Sequence, residues 1–86
     1  MFEKLCSIID YLREEYGYSC RAVGNDDGWG IQVDYIREGP EFNWFVPMDK
    51  ILLERYSVKH LAEFVRADCI YIMTHMKEEF DAKVFL

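Results

Sequence analysis

The sequence predicts an α+β fold, an α-β-β-β-α two-layer domain. In it a three-stranded antiparallel meander packs on an N-terminal helix and a long C-terminal helix. Three observations lead there. Apolar residues recur at spacings of three and four near both ends of the chain. In the middle they alternate with polar residues. Short clusters of Gly, Asn, Asp and Pro separate the alternating stretches. The chain has 86 residues, 51% hydrophobic and 16% aromatic, which is enough for one core and one domain over 1–86.

The first helix is expected over 2–16. Phe2, Leu5, Ile9, Leu12 and Tyr16 form one stripe, and Gly17 supplies the stop. Strands follow over 18–23, 29–36 and 42–46. Trp29, Ile31, Val33 and Tyr35 alternate with Gly30, Gln32, Asp34 and Ile36, the pattern of a half-buried strand. The turns are Gly24-Asn25-Asp26-Asp27-Gly28 and Arg37-Glu38-Gly39-Pro40-Glu41. In the third strand Phe42, Trp44 and Val46 share one face, and Asn43 and Phe45 share the other. With both helices on the apolar face, the other face would carry Arg21, Gln32, Asp34, Ile36, Asn43 and Phe45. Between Met48 and Tyr56 the pattern fits either a short helical turn starting near Asp49 or an irregular crossing.

The last helix is expected over 57–83, with Ser57 as its N-cap and Tyr56 stapled onto Leu61. Its stripe is Val58, Ala62, Val65, Cys69, Ile72, Met76 and Phe80. Such a helix is ~40 Å long, against a diameter of about 30 Å for a compact domain of this size. Either it breaks near Asp68, or its surplus apolar surface at Ile70, Ile72, Met73 and Met76 meets a second copy.

The charge is unevenly placed. The net charge is −6, and residues 22–49 hold −5 of it, six acids against the single base Arg37. An acidic chain of this kind is a poor binder of nucleic-acid phosphates. A localised acidic surface instead suits a partner protein with a basic face. Asp26, Asp27, Asp34, Glu38 and Glu41 are the candidate contacts, with Phe45 as the apolar anchor.

No catalytic or metal motif is present. The histidines, His60 and His75, lie ~22 Å apart along one helix and cannot share a metal within one chain. Glu14/Glu15 and Glu78/Glu79 are sequence neighbours, so their carboxylates diverge on a helix. Glycines 24, 28 and 30 are not followed by a helix or a Lys-Ser/Thr pair, so they form no phosphate loop. Cys6, Cys20 and Cys69 are odd in number and lack metal-knuckle spacing, as expected of buried thiols in a reducing compartment. The start, Met1-Phe2-Glu3-Lys4, lacks signal-peptide character, and the longest apolar run, Cys69 to Met73, is too short for a membrane span. The expectations are no enzyme activity, no cofactor, no metal, no membrane and a cytoplasmic location.

The element order resembles that of double-stranded-RNA-binding domains. The last helix here, however, begins Ser57-Val58-Lys59-His60, with one lysine where those domains carry a basic cluster for phosphates. The arrangement is also similar to small acidic anti-CRISPR proteins of phages. The matching positions are Asn25-Asp26-Asp27, Asp34 on the open strand face, and Glu38-Gly39-Pro40-Glu41. That resemblance implies a stoichiometric DNA mimic, whose carboxylates occupy the nucleic-acid site of an effector nuclease. The sequence therefore leads to a non-enzymatic, protein-binding inhibitor. The alternative is an adaptor that homodimerises through its C-terminal helix.

Overall fold

A computed structural model describes residues 2–25, 28–39 and 42–85, with the side chains of Asn25 and of 76–85 left aside. The order of elements is α1 (Phe2–Tyr16), β1 (Ser19–Asn25), β2 (Gly28–Tyr35), β3 (Trp44–Pro47), α2 (Lys50–Arg55) and α3 (Val58–Phe85). The strands form one antiparallel sheet in the order β1-β2-β3. α1 packs on β1 and against α3, giving the helix-on-sheet α+β domain.

α1 buries Leu5, Ile8 and Leu12, while Phe2 at its start is exposed. The buried stripe thus passes through Ile8 rather than Ile9, which packs at the core's margin. Gly17 ends the helix at φ 71°, and its N–H donates to the Arg13 carbonyl at 3.0 Å. That is the left-handed cap a residue without Cβ adopts at low cost.

The first hairpin is tighter than composition predicts. Pairing continues to Asn25↔Gly28, so Gly24 and Gly28 lie in strands. Gly24 is needed because the Trp29 ring covers it, and a Cβ there would sit 2.6 Å from that ring. Farther along, the register shifts. Ser19 faces Tyr35 and Cys20 faces Val33, leaving Asp34 as an extra residue on β2. This β-bulge inverts the alternation beyond it. Tyr35 is therefore exposed and Ile36 fully buried, which corrects the expected place of Ile36 on the open face. Ile36 forms an isolated bridge with Gly39, closing the second turn early. β3 begins at Trp44, later than predicted, because the Phe42 N–H bonds the Gly39 carbonyl at 2.9 Å.

The ambiguous stretch contains α2. Asp49 caps it, with Oδ1 accepting from the Leu52 N–H at 2.8 Å. At the other end the Lys4 ammonium of α1 donates to the carbonyls of Leu53 and Tyr56. A helix this short leaves most of its carbonyls unpaired within itself, so this side chain from α1 completes it.

α3 starts as expected, with Ser57 Oγ accepting from the His60 N–H at 3.1 Å. Leu61, Ala62, Val65 and Cys69 enter the core. The helix does not break near Asp68. No Gly or Pro interrupts it, and the Asp68 carboxylate accepts from Trp44 Nε1 at 3.3 Å, tying the middle of the helix to the sheet. Its 28 residues span ~42 Å and set the long dimension of a molecule measuring 46 × 29 × 19 Å. Among the described residues no helix is long and apolar enough to cross a membrane.

Candidate partner-binding surface

The strand pleat sends Cys20, Ala22, Ile31, Val33 and Val46 toward the helices. The opposite set, Arg21, Gln32, Asn43 and Phe45, faces away from them. Phe45 is half-buried because its ring lies over Gly30, its diagonal neighbour on β2. Any side chain at Gly30 would occupy the space of that ring.

The polar groups of this outer face are already engaged. Arg21 Nε donates to Asp34 Oδ2 at 3.0 Å across the first strand pair. Asp34 stands two residues beyond Gln32, the partner of Arg21, and is thus its diagonal neighbour across the pair. Gln32 Nε2 donates to Asn43 Oδ1 at 2.7 Å. Each bond crosses between neighbouring segments, so the face is braced laterally.

Glu38 is held more firmly. The Tyr18 hydroxyl donates to its Oε2 at 2.7 Å, and Arg66 Nη2 approaches its Oε1 at 3.6 Å. The same guanidinium stacks 4.7 Å from the centre of the Tyr16 ring. Burial foremost, then the bond to Glu38, pushes the Tyr18 hydroxyl above its usual range. Glu38 therefore joins the second turn to the α1–β1 connection at Tyr18 and to α3 at Arg66 rather than standing free on the surface.

Of the predicted contact residues, the structure thus places Asp34 and Glu38 in internal pairs and Phe45 on the outer face. Asp26, Asp27 and Glu41 lie outside the described residues. The residues expected to meet a second copy are not gathered into one exposed patch. Met73 packs on the core with its thioether over Gly39, Ile70 and Ile72 are half-buried, and the Met76 side chain lies outside the described residues. Three thiols, Cys6, Cys20 and Cys69, are free. Burial pushes Cys20 and Cys69 up to about 12, with Asp34 adding to the first and Asp68 to the second. Such thiols stay protonated and unreactive near neutrality. Among the described residues no three His, Cys, Asp or Glu side chains come close enough to hold a metal ion.

Two features escape the sequence reading. The Tyr18–Glu38–Arg66 junction joins residues far apart in the chain, and nothing in their spacing signals it. A stripe of exposed residues on α3, including Phe64 and Tyr71, does have a sequence signal, a second three-and-four periodicity beside the buried one. Comparison with protein-family models, curated proteins and solved structures gives no match for this chain.

Proposed function

We propose that the chain is a non-catalytic protein-binding module that receives a basic partner surface on its β-meander. The supporting observation is the confinement of −5 of the −6 net charge to residues 22–49, beside an outer sheet face that carries Phe45. In its most concrete form the module is an inhibitor of the anti-CRISPR kind. It occupies the nucleic-acid site of an effector nuclease in the cytoplasm, where its three free thiols are at home. Asp34 and Glu38 are tied to Arg21, Tyr18 and Arg66. Their role is to fix the surface in advance, which lowers the ordering cost of binding. The long-range attraction then falls to Asp26, Asp27 and Glu41, and the desolvated contact to Phe45.

The experiment titrates the chain into complexes of CRISPR effector nucleases with fluorescent duplex DNA and follows DNA release by anisotropy. Release by wild type from at least one effector is expected, weakening as salt rises. The variant D26K/D27K/E41K should lose it about 100-fold, and Phe45→Ala about tenfold. No release from any effector, or equal release by the charge-reversed variant, overturns the reading.

A further inference from the structure

Along α3, His60, Phe64, Ala67, Tyr71 and His75 are all exposed and recur at spacings of four, three, four and four. On a helix they make one stripe. It lies apart from the buried stripe of Leu61, Ala62, Val65 and Cys69. No Asp, Glu, Lys or Arg falls on it, in a chain that is 30% charged. Phe64 is 48% and Tyr71 59% exposed, large apolar rings left in water.

The two ends of the stripe differ in relief. At its N-terminal end His60 and Phe64 border a groove of about 170 Å³ between α2 and α3, which Leu52, Tyr56 and Leu61 complete. At the other end the Tyr71 ring stands against His75, centroids 3.9 Å apart, as a ridge.

The stripe is also its own complement. Turned end for end about a twofold axis between Ala67 and Asp68, it sets Phe64 opposite the second copy's Tyr71. The same turn sets His60 opposite the second copy's His75. Ridge then faces groove at both ends of the seam. Ala67, at the crossing, lets the backbones approach closely. Asp68 is turned toward Trp44, so two carboxylates do not meet on the axis. One surface that satisfies itself under a twofold rotation is what an isologous dimer requires.

We propose that α3 pairs antiparallel with α3 of a second copy through this seam. Each Tyr71–His75 ridge seats in the other copy's groove between α2 and α3. The dimer does not depend on the function proposed above, since it leaves the outer sheet face of both copies free. The seam is ~22 Å long. That puts it among the small interfaces, below about 1,200 Å², so association is weak and visible at high micromolar concentration.

Sedimentation equilibrium from about 5 µM to about 1 mM tests it. Wild type should pass from monomer to dimer, and Phe64→Glu or Tyr71→Glu should weaken association at least about tenfold. Both side chains are exposed, so far-ultraviolet circular dichroism should not change. Register is tested by mild oxidation, with wild type and its own thiols as the baseline. In the antiparallel pair two residues 67 are offset by ~1.5 Å along the axes and two residues 74 by ~20 Å. Ala67→Cys should therefore cross-link into dimers and Thr74→Cys should not. A wild type that stays monomeric, a dimer indifferent to both glutamates, or cross-linking at 74 that matches or exceeds 67 overturns the proposal.

Discussion

Tyr18 shows how one side chain can hold a fold and a surface at once. Its ring fills the core at 1% exposure while its hydroxyl donates to Glu38 at 2.7 Å. Glu38 in turn holds Arg66, which lies over Tyr16. Replacing Tyr18 by Phe keeps the packing and removes the donor. Hydrogen bonds to charged groups contribute roughly 1.5–3 kcal/mol, and solvent screening at the half-exposed carboxylate lowers this toward about 1–2 kcal/mol. Urea unfolding of Tyr18→Phe should show that loss. A larger share should come from faster unfolding if the junction forms late in folding.

At the scale of elements, Gly30 and Phe45 couple β2 to β3. The ring occupies the space where a Cβ would stand. Gly30→Ala must push Phe45 outward or spread the strands, costing about 1–3 kcal/mol as overpacking does. Thermal denaturation should report it, and the double variant Gly30→Ala/Phe45→Ala should recover part of the loss. Elements set by periodicity were legible from composition and spacing alone. α1 spans the predicted 2–16, and the Ser57 cap and the core contacts Val65 and Cys69 of α3 stand where the spacing put them. The departures have physical causes that spacing does not encode. An added residue at Asp34 moved Ile36 to the other face, and the Phe42–Gly39 bond delayed β3. The ambiguous segment became helical with help from Lys4, a residue about fifty positions away. Glu38 looked like a surface acid because its partners, Tyr18 between α1 and β1 and Arg66 on α3, are assembled only by the tertiary fold.

For the molecule as a whole, the two thiols of the interior make stability depend on alkali. Cys20 and Cys69 ionise near 9.0 when exposed and only near about 12 in the fold, held up by burial. Above 9 the unfolded chain releases these protons while the folded chain keeps them, so the unfolded state binds fewer protons and stability falls as pH rises. Tyr18 adds in the same direction above its ordinary 10.0. The contribution is intact below 9 and is lost progressively through about 12. The urea midpoint should decline between those values, and Cys69→Ala should flatten the decline at a cost in packing. A midpoint constant over this range would show that neither thiol is shielded as the fold requires.

The extra residue at Asp34 has a consequence that reaches past its own salt bridge. The meander's pattern of apolar and polar residues is written in two frames, one up to Val33 and another from Tyr35 onward, and Asp34 is the punctuation between them. Substituting it leaves the frames in place and costs one exposed ion pair. Deleting it would close the bulge and join the frames into one regular alternation, with Val33 and Ile36 still inward and Tyr35 outward, at the cost of the Arg21 ion pair. The extra residue thus lets Val33 and Ile36, three positions apart, point to the same side of the sheet, and it gives the outer face a carboxylate that a regular strand of this pattern would lack.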